Sequence, residues 1–366
     1  MEEKNSFGKK LGKAWSGYSF IFVFIIILIA YALVTISTTG GFNFRHVSSI
    51  FAASNTVIIG TIALGMAFII ITGQIDLSVG STLVVTTGVG CMVFNLTGSI
   101  ILMILAAIAA GAICGLVNGL LVGLGKMPPF VVTLGTMLIY RSIALTLVRQ
   151  IPAEITGSGS SKYELLRSSE TIPTISEKYE MVRAFGNGKI TLGSIEIPYI
   201  FILFLVLAVI MILVATKTRY GKSVYAVGSN EKSARLAGIK TTWIKISCFI
   251  LIGVLTGIAG VLQICKIGNA TPASTGQSYE MYAIAAVVLA GVNMAGGRGN
   301  MVGVIFGALS YTTISFVINN IGLSVDIQDC FQGLVLIVVI LIQTAGPGIK
   351  EWFRLRKIRR ENATKA

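Results

Sequence analysis

The residue whose side chain could most readily take part in chemistry is Asp76, a single carboxylate in a very apolar part of the chain. From His46 through Gly125 it is the one formally charged side chain, and it lies in the glycine-bounded stretch Gly73–Gly80. About 20 apolar residues cross a bilayer as a helix, and a charged side chain at the centre of such a segment is costly. Polar backbone at this depth is tolerated only where it faces protein or a water-filled cavity. The pattern therefore predicts a membrane protein with a broken helix at Asp76, where a transport path would lie.

The candidate partner for that acid is Arg141, which falls about 12 residues into another apolar run, roughly 18 Å along a helix. Burying either charge alone is expensive, so each needs a partner or water. Two interpretations stay open: Asp76 pairs with Arg141, or it lines a path and accepts hydrogen bonds from donors freed by the helix break. A stand-alone carrier driven by protons would also use Asp76, although such carriers usually have more than one intramembrane titratable group.

The composition is that of a membrane protein. Hydrophobic residues make up 54% and charged residues 12% of the 366-residue chain, roughly half the charged fraction of a soluble domain. The net charge of +14 could suggest nucleic-acid binding, but the basic residues cluster at the ends of apolar runs and form no stripe with interleaved aromatics. The single histidine, His46, excludes a multi-histidine metal site within this chain, and no nucleophile–base pair indicates an enzyme.

The apolar windows predict an all-α polytopic protein of about ten transmembrane helices, some broken by glycine, in a single domain covering residues 1–366. The windows are 18–38, 50–72, 79–97, 99–122, 129–148, 198–216, 246–265, 282–297, 302–321 and 330–346. Alternate loops then face the same side, so the distribution of Lys and Arg tests the orientation.

The basic residues favour a cytoplasmic N-terminus. On the membrane face that holds the N-terminus lie the N-terminal lysines, Lys126, Arg298 and the basic residues of 217–245 and 350–366. Those in the short loops of the other side are Arg45, Arg149 and Lys266. This asymmetry predicts a multi-pass plasma-membrane protein with both termini in the cytoplasm.

Three polar segments stand apart from the windows. Residues 150–197 are nearly balanced in charge and predict an extracytoplasmic loop, either a solvated excursion or a docking surface for an extracytoplasmic partner. Residues 217–245 predict a cytoplasmic loop with a short helix, either a lever for a soluble partner or an ordinary amphipathic connector. Residues 350–366 predict a basic cytoplasmic tail that anchors to anionic lipid rather than to nucleic acid.

A faint internal repeat connects two of the windows. Ala67–Gly73 is similar to Ala285–Gly291, and each run is followed by a polar break. Two interpretations stay open. Transporters are often built from repeats whose broken helices meet at a central site, which this pairing would fit. Two apolar runs that end in glycine also arise by chance.

Four segments, in order along the chain, carry a resemblance to a known family. Thr72–Ser81 resembles the TGGIDLSVGS signature of ribose/galactose-type ABC importer permeases. Pro129–Met137 with the following Arg141 is a further match. Val224–Ile239 is similar to the family's YAIGGNxxAAxLSGI loop, and Tyr279–Gly299 to its YELDAIAAVVLGG and GGxG motifs. Together they span most of the chain outside the 150–197 loop.

The resemblance implies the membrane subunit of an importer for a monosaccharide of the ribose, galactose or xylose class. It implies a homodimer, or a heterodimer with a related permease, joined by cytoplasmic ABC ATPase subunits and served by an extracytoplasmic sugar-binding protein. ATP would be used by the partner, with no cofactor bound by this chain, because the chain lacks a Walker motif. The nearest string, Gly123–Met127, lacks the first glycine and the hydroxyl after lysine.

The resemblance also implies roles for individual residues. The coupling helix, which would sit on the ATPase, comprises Ala226, Gly228, Ser229, Asn230, Glu231, Ala234, Arg235, Leu236 and Gly238. Candidates for lining a path, where small or polar side chains suit a neutral sugar, are Asn55, Gly73, Gln74, Asp76, Ser78, Gly80, Ser81, Thr82, Arg141, Gly291 and Asn293. Independently of the resemblance, Lys266 and Glu280 flank the polar segment 268–278, which is either a docking site for the binding protein or an unremarkable loop.

Two departures from the family pattern bear on these roles. Gln74 replaces the second glycine of the signature, so the backbone there is less permissive of positive φ. Met281 and Tyr282 replace a Leu–Asp pair and remove a carboxylate just outside the eighth window. Substrate assignments based on that acid do not carry over.

Overall fold

The computed structural model describes residues 2–157, 162–166, 175–193 and 195–322, together with the isolated positions 327, 330, 333, 334, 337 and 341. The helices are α1 (Glu2–Thr39), α2 (Phe44–Ala52), α3 (Ser54–Ile71), α4 (Val79–Thr97), α5 (Ile100–Gly123), α6 (Pro129–Gln150), α7 (Ala153–Thr156), α8 (Ile175–Asn187), α9 (Tyr199–Lys217), α10 (Arg219–Ser229), α11 (Glu231–Leu236), α12 (Thr241–Lys266), α13 (Tyr279–Leu289) and α14 (Met301–Asn320). The short strands are β1 (Tyr163–Glu164), β2 (Lys189–Leu192), β3 (Ile195–Pro198) and β4 (Asn269–Ala270).

The predicted all-α membrane architecture is confirmed. In the described ranges, 8 helices are long and apolar enough to cross a bilayer: α3, α4, α5, α6, α9, α12, α14 and the Phe20–Thr39 part of α1. The core of the bundle is α3, whose side chains from Thr56 through Ile71 are all buried. A helix that is apolar on every side belongs inside a bundle or a membrane, and α3 is in both.

Three of the ten predicted windows need comment. The window 50–72 divides at Ala53, whose extended backbone (φ −63°, ψ 130°) separates α2 from α3. The window 282–297 is wrong as a full span, because it holds only the end of the 11-residue α13, followed by an irregular loop. Eleven residues extend about 16 Å, roughly half the thickness of a bilayer core. The window 330–346 and the 350–366 tail lie outside the described ranges.

The 26-residue helix α12, about 39 Å long, defines two ends of the molecule. Near its start, Lys245 donates a hydrogen bond to Glu231 of α11. At its finish, the carbonyl oxygen of Cys265 accepts a hydrogen bond from Arg183 of α8. We call these the α11 end and the α8 end. The 217–245 segment lies at the first and the described parts of 150–197 lie at the second.

Close packing of α5 against α12 depends on glycines spaced four apart. A Cβ at Gly111 would collide with the carbonyl oxygen of Gly253, and one at Gly115 with that of Phe249. Small residues at this spacing let helix backbones approach closely, which supplies van der Waals contact where lipid weakens the hydrophobic driving force. The pair forms the scaffold on which the broken helices are held.

The 150–197 segment is folded in its described parts. Strand β2 pairs with β3, and β1 pairs with β4 in the segment after α12. Asn95 of α4 donates hydrogen bonds to the carbonyl oxygens of Ile155 and Glu164 and accepts one from the amide of Leu166. The excursion is therefore tied to α4 and to the loop that follows α12.

Candidate functional site

Three elements meet at one point of the α11 end, and Gly228 is at its centre. A Cβ added to Gly228 would collide with the carbonyl oxygen of Ile71 and lie 2.8 Å from the amide nitrogen of Gly297. That amide donates a hydrogen bond to the same Ile71 oxygen at 2.8 Å. Ile71 ends α3, Gly228 lies in the last turn of α10, and Gly297 lies in the loop after α13. We call this contact the Gly228 junction.

Two further contacts hold the junction together. The hydroxyl of Tyr225 on α10 donates to the carbonyl oxygen of Gly299 at 3.0 Å. A Cβ at Gly296 would lie 3.0 Å from the amide nitrogen of Gly73 and 3.1 Å from the carbonyl oxygen of Gly228. A side chain at Gly228 would push the three elements apart, and one at Gly296 would crowd the backbones of Gly73 and Gly228, so α10 packs directly against both neighbouring loops.

The short helix predicted in residues 217–245 is present as the six-residue α11, and it is capped at both ends. The Asn230 side chain accepts from the amide of Ser233 at 2.9 Å. At the other end Gly238 takes φ +83°, and the Ile239 amide donates to the Ala234 carbonyl oxygen. Leu236 is 90% exposed on this helix, and an exposed large apolar side chain is a feature of protein interaction sites.

The carboxylate of Glu231 fastens α11 to α12. It accepts hydrogen bonds from Lys245 at 2.7 Å and from Arg235 at 3.3 Å. The hydrogen bond from Lys245 is the largest cause holding the pKa of Glu231 below its ordinary value. Of the other predicted coupling residues, Ala234 is buried, Ala226 is half-buried, and Ser229 is exposed at the end of α10.

The two broken helices end in the same way. After α3, Gly73 takes φ +77°, its amide donates to the Ile70 oxygen, and the next amide donates to the Ile69 oxygen. After α13, Gly291 takes φ +81°. Its amide donates to the Val288 oxygen, and the amide of Val292 donates to the Val287 oxygen. Both are glycine caps that satisfy the last carbonyl groups of a helix and let the chain leave it.

Asp76 lies in the seven residues between α3 and α4 and is 2% exposed. One carboxylate oxygen accepts from the amide of Ser78 at 2.8 Å and from its hydroxyl at 2.7 Å. Asn118 of α5 donates to that hydroxyl at 2.8 Å, and Tyr140 of α6 donates to Asn118 at 3.3 Å. The acid thus organises the start of α4 within a buried polar network.

Arg141 has partners other than Asp76. Its guanidinium donates to the carbonyl oxygens of Pro272 and Thr275 at 2.7 and 2.6 Å, in the loop that leads into α13. Its charge also interacts with that of Glu280 in the first turn of α13. The Asp76–Arg141 ion pair is not formed, so that interpretation is wrong for this conformation. Arg141 acts as a clamp on the loop before α13.

The starts of α4 and α13 meet inside the bundle. A Cβ at Gly80 would collide with the carbonyl oxygen of Gly276 and lie 2.9 Å from Glu280 Oε2. Beside this contact Ser81 is 1% exposed, and its hydroxyl has no hydrogen-bond partner in the described part of the chain. The breaks after α3 and before α13, which the chain enters from opposite ends, therefore converge on Gly80 and Gly276. We call this the Gly80 contact.

The remaining predicted residues are spread along the molecule. Asn55 accepts from the hydroxyl of Tyr279, which ties α3 to the start of α13. Asn293 is exposed in the loop after α13, where its side chain accepts from the Ala295 amide. Thr82 is buried in the first turn of α4, near the Gly80 contact in the chain. Lys266 ends α12 at the α8 end, whereas the Glu280 carboxylate lies beside Gly80 at the Gly80 contact.

Several residues that the structure adds to the site are not predicted from the sequence. Asn118 is the strongest case, because it is the one amide side chain in the otherwise apolar α5 and could have been singled out for that reason. Tyr140, one position before Arg141, carried no signal of its own. Gly276 and Gly297 could not be distinguished from other loop glycines, because their partners lie far away in the chain.

Nothing in this arrangement indicates covalent chemistry. In the described residues there is no group of three or more His, Cys, Asp or Glu side chains that could hold a metal ion. The contacts at the two places described are between backbones or between one side chain and a backbone. The elements therefore meet through close backbone packing at two places, one at the α11 end and one inside the bundle.

Comparisons with known proteins find related transport proteins over most of the chain. A family model described as branched-chain amino acid transport system / permease component matches residues 48–340. The chain is 35% identical over 283 residues to the ribose import permease protein of Bacillus subtilis, covering 77% of this chain and 80% of that protein. It is 32% identical over 314 residues to the galactose/methyl galactoside import permease protein of Haemophilus influenzae, covering 82% and 87%. It is 30% identical over 351 residues to the xylose transport system permease protein of the same organism, covering 86% and 93%. No solved structure matches.

Proposed function

Since this chain belongs to the family described as branched-chain amino acid transport system / permease component, we propose that it is the translocation subunit of an ABC-type importer for a monosaccharide. It is a multi-pass inner-membrane permease. The sugar class follows the named relatives, which import ribose, galactose and xylose. The chain performs no hydrolysis itself; ATP is used by a separate ATPase subunit.

The observation that carries the proposal is the Gly228 junction. An ATPase dimer that closes on ATP would push on α11, whose exposed Leu236 offers an apolar contact. Because Gly228 touches Ile71 and Gly297 through backbone atoms, the push would reach the ends of both broken helices. Residues 73–78 lead from there to the Gly80 contact, so displacement at the α11 end would open or close the middle of the bundle.

The α11 end is cytoplasmic in this proposal, and the α8 end faces the binding protein. The positive-inside asymmetry supports this orientation, with both termini in the cytoplasm. The folded excursion at the α8 end, with Lys266 beside it, offers the docking surface. A second permease copy or a related permease completes the path, and membrane lipid covers the remaining apolar faces.

The test is uptake of labelled ribose, galactose and xylose by vesicles that hold this permease, its candidate ATPase and its binding protein. Gly228→Arg should reduce ATP-dependent uptake at least about tenfold, because the junction has no room for a side chain. Gly41→Arg is the matched control, since a Cβ at Gly41 meets nothing within 4 Å. ATP-dependent uptake that persists in Gly228→Arg would contradict the proposed coupling.

The same vesicles separate the importer from a proton-driven carrier. Uptake by an importer needs ATP and survives an uncoupler. Uptake that ignores the ATPase, stops with the uncoupler and depends on Asp76 would leave the carrier as the function instead.

A further inference from the structure

A polar cleft at the α11 end takes no part in the Gly228 junction or the Gly80 contact. Its volume is about 440 Å³, within the range of small-molecule sites in proteins. It lies between the α5–α6 connection, the break after α3, and α11 with the start of α12. The lining residues that matter here are Gln74, Lys126, Glu231, Arg235 and Lys245.

The cleft has more positive than negative charge. Lys126, Arg235 and Lys245 line it together with a single carboxylate, Glu231. Arg235 and Lys245 share that carboxylate, at 3.3 and 2.7 Å, while Lys126, in the left-handed backbone region (φ 54°), lines the cleft from the α5–α6 connection. Three cations around one carboxylate leave room and charge for an anion.

A buried polar atom points to a second feature of the ligand. Gln74 lines the cleft and is 5% exposed, and its side-chain oxygen has no hydrogen-bond partner in the described part of the chain. Buried acceptors are normally satisfied, so this oxygen calls for a donor such as a ligand hydroxyl. Gln74 is also the residue that departs from the family signature, and a glycine there could make no such contact.

We propose that this cleft binds a small organic phosphate that carries hydroxyl groups, of about the size of a phosphorylated monosaccharide. The phosphate lies between Lys126 and the Arg235–Lys245 pair, and a hydroxyl donates to Gln74. Such a ligand joins the α5–α6 connection, the break after α3 and α11. It thereby holds together elements that must move during transport, and a phosphorylated product in the cytoplasm would slow further import. The cytoplasmic location rests on the orientation given under the proposed function, whereas the binding itself does not.

The first experiment is calorimetric titration of the purified permease in nanodiscs of zwitterionic phosphatidylcholine. Ribose 5-phosphate is the probe, with inorganic phosphate and ribose as its two halves. Ribose 5-phosphate should bind, inorganic phosphate should bind about tenfold more weakly, and ribose should give no heat, because the charge contributes most and the hydroxyl contact adds to it. No binding of ribose 5-phosphate would overturn the proposal, and this assay needs no transport activity.

Variants locate the site. Lys126→Ala should weaken ribose 5-phosphate binding about tenfold, whereas Lys222→Ala, which removes an exposed lysine of α10 outside the cleft, should leave it unchanged. Gln74→Met keeps the side-chain volume and should weaken ribose 5-phosphate while leaving inorganic phosphate unaffected. Equal effects of Lys126→Ala and Lys222→Ala would indicate general charge attraction and overturn the site.

A lipid headgroup is the competing source of the same chemistry. If replacing part of the phosphatidylcholine by phosphatidylglycerol abolishes the titration, the cleft is a lipid site and the soluble ligand is wrong. If binding survives, ribose 5-phosphate loaded inside transport vesicles should slow uptake by the unaltered permease and not by Lys126→Ala. Unchanged uptake in both would overturn the proposed slowing of import.

Discussion

The carboxylate of Asp76 accepts two hydrogen bonds from Ser78, only two residues further along the chain, and Ser78 in turn accepts from Asn118. A carboxylate held this way needs only the acceptor capacity of its oxygen to organise the start of α4. Removing the charge of Asp76 therefore distinguishes its two possible roles. A hydrogen-bond acceptor tolerates the loss of charge, and a residue that carries the transported proton does not.

Asp76→Asn should therefore keep at least about half of the ATP-dependent uptake, since the amide oxygen can still accept from Ser78. Asp76→Ala should lower the free energy of unfolding by about 1–3 kcal/mol, because it leaves the buried Ser78 amide without its acceptor. Uptake assays and thermal melts of the purified permease measure the two effects. Loss of uptake in a stably folded Asp76→Asn variant would contradict the structural role and favour proton coupling.

Glu231 offers a test by pH. Its pKa is lowered by the hydrogen bond from Lys245, so the stabilisation by this contact is complete above the ordinary value of 4.5 and is lost as the pH falls through the lower, folded value. Glu231→Gln should speed hydrogen exchange of the α11 amides about twofold at pH 7, as expected for a partly exposed pair. As the pH falls through that lower, folded value, the ratio to the unaltered protein should approach one. Lys232→Gln is the control, and a ratio independent of pH would contradict the assignment.

How far single residues could be predicted from sequence depends on where their partners lie. The caps of α11 were predictable, because Asn230 and Ser233 are three residues apart. The partners of Arg141 were not, because they lie 131 and 134 residues away along the chain. The sequence showed that two buried charges needed partners. It could not show that Asp76 would find a near one and Arg141 a distant one.

Among the elements, the breaks were easier to predict than the lengths of the helices beside them. Gly73 and Gly291 end α3 and α13 with the same hydrogen bonds, in agreement with the similarity of the runs that precede them. The window 282–297 was too long, because the residues after Gly291 remain largely apolar although the helix has ended. Hydropathy counts apolar side chains, and the end of a helix is set by backbone hydrogen bonds that it does not record.

Arg141 of α6 positions a whole element, because its side chain holds the loop that leads into the short helix α13. Arg141→Met should lower the free energy of unfolding by about 2–4 kcal/mol, since the carbonyl oxygens of Pro272 and Thr275 lose a charged donor. It should also remove most uptake, because the Gly80 contact depends on where that loop lies. Arg141→Lys should restore part of the stability, with one ammonium replacing the guanidinium.

A denaturant titration and the vesicle assay measure both effects for the Arg141 variants. The adjacent Ser142→Ala is the control, since Ser142 is exposed on α6 and makes none of these contacts. Normal stability and uptake in Arg141→Met would show that the clamp is not needed to hold α13.

For the molecule as a whole, the fold fixes which segments share an end but leaves the direction in the membrane to charge. Residues 217–245 and the loop after α13 lie together at the α11 end, while α8 and the segment after α12 lie at the other. The distribution of Lys and Arg alone predicts the same division of these segments between two sides. Agreement between charge and contacts supports one orientation, because a wrong topology would place basic loops at both ends.

Single cysteines can test that orientation directly. Cys91, Cys114, Cys248 and Cys265 are buried, so Cys330→Ser gives a parent in which the cysteines left are shielded from a membrane-impermeant maleimide. In spheroplasts expressing the permease alone, Ser176→Cys on the exposed side of α8 should be labelled at once. Lys232→Cys on α11 should be labelled only after the membrane is permeabilised. The reverse pattern would place α11 outside, where no ATPase could reach it, and would remove the basis for coupling through Gly228.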